Sequence, residues 1–124
     1  MRLSAFIHQF FDKYLPHIKG VSPNSIKAYR DTFKLFLPFV ANHYGINVGS
    51  LSLKHLTPEV IVTFLNHLES ERENTARTRN HRLAAIKSLA KMIRFMHPQW
   101  SALMDKIIFI PQKRTQRQLI GFLY

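Results

Sequence analysis

Between Ile26 and Tyr44 the large apolar residues recur in steps of three and four: Ile26, Tyr29, Phe33, Phe36, Leu37, Val40 and Tyr44. At 3.6 residues per turn they occupy one arc of roughly 100°. Asn24, Lys27, Asp31, Lys34 and Asn42 fall opposite. Ser22-Pro23 opens this stretch, a capping hydroxyl followed by a proline whose missing N–H is not needed in a first turn. Gly45 is a stop signal, and Pro38 falls on the solvent side. The same grammar returns at Thr57-Pro58-Glu59, with Val60, Ile61, Phe64, Leu65 and Leu68 inward as far as about Arg72. No alternating, strand-like pattern persists anywhere, so the chain is expected to be all-α.

Two further helices follow from the same periodicity. One is expected over about 4–15, with Phe6, Ile7, Phe10, Phe11, Tyr14 and Leu15 on one face and Pro16 and Gly20 marking the way out. The other is expected over about 76–96, opened by Asn74-Thr75 and closed by His97-Pro98, with Leu83, Ile86, Leu89, Ala90 and Ile93 as its apolar arc. A short helical turn over 99–106 offers Trp100, Leu103 and Met104 to the core. Residues 46–56 read as a loop held down by Leu51, Leu53 and Leu56. With 124 residues, 46% of them hydrophobic and ten of them Phe, one domain with a real core is expected, and intrinsic disorder is excluded.

The charge is strongly one-sided: 18 Lys and Arg against 7 Asp and Glu, a net +11. Residues 74–124 hold ten of the basic residues and a single acid, Asp105. A solvated helix normally interleaves both signs. An excess this local points to a polyanionic partner. In the fourth helix Lys87, Lys91 and Arg94 recur at spacings of four and three, with the small residues Ala84 and Ser88 between them. Small residues let a helix approach a groove wall, and long basic ones reach phosphates on either side. Thr75, Arg77 and Asn80 lie towards the helix start, where free amides favour phosphate, and Asn is a good adenine reader. Arg82 falls inside the apolar arc, so an ion pair with Glu69 or Glu71 is expected for it, and Arg79 ranks below Arg77.

Other chemistries have little support. There is no HExxH, Walker loop, nucleophile elbow or Gly-rich phosphate cradle. The seven His form no i, i+4 pair and there is no Cys, so neither a metal nor any other cofactor is expected. No apolar run approaches the ~20 residues of a membrane span, and the first eight residues do not resemble a signal peptide. Tyr29, Phe33 and Phe36 are core rather than a base-stacking platform, because they share one helical face.

Ser22-Pro23-Asn24-Ser25-Ile26 with Tyr29 and Phe36, then Leu56-Thr57-Pro58, then the run from Thr78 to Leu89, resembles the N-terminal core-binding domain of the phage integrase or tyrosine recombinase family. The resemblance covers about residues 4–110. It implies a single SAM-like domain over 1–110, of four main helices and a short fifth. The segment 111–124, with Pro111, Lys113 and Arg114, is then an extended interdomain linker leading to a catalytic domain. It also implies a clamp on double-stranded DNA, with the second and fourth helices across the major groove. The implied contact residues are Ser22, Asn24, Ser25, Lys27 and Lys34 on the second helix. On the fourth they are Thr75, Arg77, Asn80, Lys87, Ser88 and Lys91, to which the basic arc adds Arg94. Further recombinase protomers in a tetrameric synapse are implied partners, and the Phe6/Phe10 edge an implied assembly surface. The family's catalytic Arg, Lys, His-x-x-Arg and Tyr have no counterpart here, so this chain alone is expected not to be an enzyme. A cytoplasmic setting, in a bacterium or encoded by a phage or mobile element, is expected. The rival readings are a helical module for self-assembly and a basic helix lying on anionic lipid.

Overall fold

A computed structural model describes residues 1–72 and 75–114. The second to fifth helices are α2 (Pro23–Tyr44), α3 (Pro58–Arg72), α4 (Ala76–Met96) and α5 (Ser101–Ile108). The first, α1 (Leu3–Gln9), runs on without a break into a π-helical segment, Phe10–Ile18. Among the described residues there are no strands, only an isolated bridge between Arg2 and Ser52. The all-α architecture expected from periodicity is the observed one.

The caps explain the helix starts. The Ser22 hydroxyl accepts the Ser25 N–H at 3.3 Å, Thr57 accepts from Val60 at 3.2 Å, and Thr75 accepts from Thr78 at 3.2 Å. Gly45 ends α2 in the left-handed region (φ 67°), which a side chain would disfavour.

Pro16 does not end the first helix. In an α-helix its ring would meet the carbonyl of Asp12. Here the helix widens to π spacing instead, the Lys19 N–H bonds Tyr14 O at 2.7 Å, and the chain continues to Ile18.

The core is a run of interlocked rings. Phe10 stacks on Tyr29 (6.3 Å between centroids) and meets Phe33 edge to face (5.8 Å), while Phe36 meets Phe64 at 5.0 Å. These contacts fasten the first helix to α2 and α2 to α3. Leu83, Ile86, Leu89 and Ile93 carry α4 into the same core, and Met104 and Ile107 add α5. The leucines of the 46–56 segment are buried as expected, and Leu51 O accepts the Leu3 N–H at 2.8 Å.

Two expectations are corrected. Phe6 and Phe10 are fully buried, so their edge is not an assembly surface: Phe6 packs against His97 and Phe10 against the α2 rings. Trp100 is not core. It sits in the 3-10 turn Pro98–Trp100, 38% exposed, while Met104 takes the inward position.

Candidate nucleic-acid interface

The exposed surfaces of α2 and α4 meet along an open cleft of about 400 Å3. Ser25 borders it from α2, and Thr78, His81 and Ala84 border it from α4. The two helix starts are built alike. Ser22 Oγ lies 3.2 Å from Ser25 Oγ, and Thr75 Oγ1 lies 3.2 Å from Thr78 Oγ1. Farther along α4, Lys19 reaches across from the end of the π-segment and donates to Ser88 Oγ at 3.5 Å.

Of the predicted contact residues, Ser25 borders this cleft. Ser22, Asn24, Ser25, Thr75, Arg77 and Lys91 are exposed, and Lys87 is half-buried. Burial, and then the like charge of Lys91 one turn away, hold the Lys87 ammonium below the usual lysine range. Two cations at i, i+4 repel, so an anion placed across them would relieve that cost.

Other predicted residues stand elsewhere. Lys27 and Lys34 are exposed on α2, but neither borders the cleft. Arg94 is paired with Asp105 of α5 at 3.1 Å. Ser88 is buried and takes the Lys19 ammonium. Asn80 is 8% exposed, and both ends of its amide are used. Its Nδ2 donates to the Lys113 carbonyl at 2.7 Å, and its Oδ1 accepts the Lys113 N–H at 2.9 Å. It is thus unavailable as a base reader in this arrangement.

The same corner corrects the ion-pair expectation for Arg82. Glu69 is taken by Lys113 Nζ at 2.7 Å and by Arg79 Nε at 3.1 Å, the latter an ion pair by distance without hydrogen-bond alignment. Arg79 has the carboxylate because it lies on the side of α4 that faces α3. The start of the tail is thereby latched to α3 and α4. Residues 115–124 of the expected linker lie outside the described residues. No local pattern could have shown the latch, since it joins positions 33 and 44 apart.

Asn80→Ala is expected to cost about 1–2 kcal/mol, because two hydrogen bonds go and the Lys113 peptide loses its partner. Hydrogen exchange at the Lys113 amide should rise together with a lower melting temperature. Unchanged protection at Lys113 would show that the latch does not hold the tail.

Residues 7–94 match the family model for the phage integrase N-terminal SAM-like domain. The chain belongs to this family. Two proteins of Sinorhizobium fredii (strain NBRC 101917 / NGR234) are similar to it. "Putative integrase/recombinase y4rC" is 34% identical over 121 residues, covering 98% of this chain and 36% of that protein. "Putative integrase/recombinase y4rD" is 30% identical over 113 residues, covering 91% of this chain and 40% of that protein. The chain thus spans well under half the length of these curated relatives. No solved structure matches it.

In this SAM-like domain the matched stretch holds α2, α3 and most of α4, and so both walls of the cleft. Among the described residues, no group of three His, Asp or Glu is placed to hold a metal ion, and no helix is long and apolar enough to cross a membrane.

Proposed function

We propose that this domain binds duplex DNA with the face shared by α2 and α4, as the N-terminal clamp of a site-specific tyrosine recombinase. The observation that carries the reading is the basic stripe of α4, in which half-buried Lys87 and exposed Lys91 stand one turn apart, on the helix that also supplies one wall of the cleft. Family membership supports it.

Binding rests on phosphate anchoring. Lys87, Lys91 and Arg77 supply cations along α4, and the exposed starts of α2 and α4 supply hydroxyls and the positive ends of two helix dipoles. Asn80 and Ser88 drop out of the contact set, because other groups of the domain consume their polar atoms. Lys27, Lys34 and Asn24 are accessory contacts at the α2 edge, and Arg94 contributes once it leaves Asp105.

The segment from Pro111 onward is proposed as the linker to a catalytic domain, and cleavage chemistry belongs to that domain. The latch on Lys113 would then set the direction in which the linker departs from the DNA-binding face. The full-length protein would act as several protomers on paired DNA sites, in the cytoplasm of a bacterial cell.

The test is duplex affinity as a function of salt. If the domain neutralises roughly four to six phosphates, log K falls with log salt at a slope of about −4 to −5. Amide chemical-shift changes on adding duplex should appear in α2 and α4 together. A slope near zero, or shifts confined to α1, would overturn the proposal.

A further inference from the structure

Arg82 is a charged cleft residue whose chemistry the interface described above leaves unused. Its Nε is buried and has no hydrogen-bond partner, and among the described residues no carboxylate lies within ion-pair distance of it. The residue as a whole is half-buried and borders the open cleft, and a guanidinium stays protonated under ordinary conditions, so it suits an acceptor placed there. Glu69 is already shared by Arg79 and Lys113. Asp31, on the α2 wall of the same cleft, attracts Arg82 but is not paired with it, and Arg72 adds a like charge. Burial is the largest influence, and it disfavours the charged form.

The surroundings suit an anion. The cleft lies beside the first turns of α2 and α4, and it opens to solvent between them. Ser22 donates to Ser25 Oγ and Thr75 donates to Thr78 Oγ1, which leaves the Ser25 and Thr78 hydroxyls their own protons to give. Both of those hydroxyls border the cleft, as does the Arg82 side chain.

We infer that this cleft seats one phosphodiester of the bound duplex, with Arg82 as its anchor and the Ser25 and Thr78 hydroxyls as supporting donors. The inference rests on the DNA-binding reading and adds to it a residue of α4 that lies outside the lysine stripe. Asp31 acts against the ligand, holding part of the Arg82 field when the seat is empty. Its removal should therefore favour binding, while removal of Arg82 should weaken it without weakening the fold.

The experiment measures binding of a short random-sequence duplex across a salt series, with thermal melting of every variant. Arg82→Gln is expected to bind on the order of tenfold more weakly and to reduce the magnitude of the salt slope by about one. Its melting temperature should be unchanged or higher, since an unsatisfied buried donor is removed. Arg82→Lys should recover the slope but only part of the affinity, because the forked guanidinium is lost. Asp31→Asn should bind severalfold more tightly. Wild-type slope and affinity in Arg82→Gln, with duplex binding intact in the parent, would overturn this seat alone. A sharp fall in the Arg82→Gln melting temperature, with Asp31→Asn binding no better, would assign Arg82 a structural role instead. Absence of duplex binding by the parent would overturn both this inference and the reading it rests on.

Discussion

Phe33→Ala is expected to cost the domain about 3–5 kcal/mol, the usual range for emptying a buried Phe site. The ring is buried and lies within 5.8–6.2 Å, centroid to centroid, of Phe10, Phe11 and Phe36. It is therefore a main point, with the Phe10–Tyr29 stack, at which the first helix is fastened to α2. Three aromatic neighbours cannot close the space together, because each is also held by its own helix. Against a total stability of ~5–15 kcal/mol for a domain, this loss is severe. The melting midpoint should fall by roughly 10–20 °C. Phe95→Ala is the control: that ring is 66% exposed, and its removal should leave the midpoint nearly unchanged. A Phe33→Ala loss below ~1 kcal/mol would mean that the ring cluster is not what joins the two helices. The folded fraction of the variant should still bind duplex, since no contact residue has been touched.

Lys87→Ala combined with Lys91→Ala should behave in the opposite way. Two phosphate anchors are removed, so the salt slope should shrink by about two and the affinity should fall on the order of 10- to 100-fold. Stability should hold or rise slightly. Lys87 is half-buried beside a like charge, so in the folded state it carries an electrostatic cost that alanine does not. The sign follows from linkage. A lysine whose folded pKa is lowered binds fewer protons folded than unfolded, so stability rises with pH between the folded value and the ordinary value of 10.5. The double variant should lose that rise. Equal duplex binding by the variant and the parent would show that the contact face lies elsewhere. The two experiments together separate the core from the surface, since each variant should change one measurement and spare the other.

Helix starts, and the stop at Gly45, were legible along the chain because they are local events, whereas Pro16 did not end the first helix as its local signal implied. A Ser or Thr hydroxyl followed by Pro or by a free amide three residues on needs no tertiary partner, and α2, α3 and α4 begin at Pro23, Pro58 and Ala76, where those signals stand. The apolar arcs were legible for the same reason. Most of the other failures involve groups whose surroundings come from distant segments. Phe6 and Phe10 lie on the apolar face of a helix, but only the packing of α2 and of His97 shows that these two rings are enclosed in the core. Trp100 is large and apolar, yet the turn that carries it leaves the inward place to Met104.

The candidate interface divides in the same way. Periodicity put Lys87, Lys91 and Arg77 on the outward side of α4; Arg77 and Lys91 are exposed there and Lys87 is half-buried. Periodicity also put Asn80 and Ser88 there, because the angle of a residue on a helix does not reveal what crosses over it. The tail covers Asn80, and the end of the π-segment covers Ser88. Arg82 shows the reverse case: its angle pointed inward, and an acid of α3 was the natural partner. That acid went to Arg79 and Lys113, and a cleft was left in front of Arg82.

What the amino-acid sequence determined by itself is the set of helices, their inward faces and the sign of the outer surface of α4, since each depends on residues within a few turns of one another. What only the tertiary structure decided is which polar side chains remain available. A hydrogen bond or ion pair forms with whatever group the fold brings within about 3 Å, and in this chain those groups come from 33, 44 or 69 residues away.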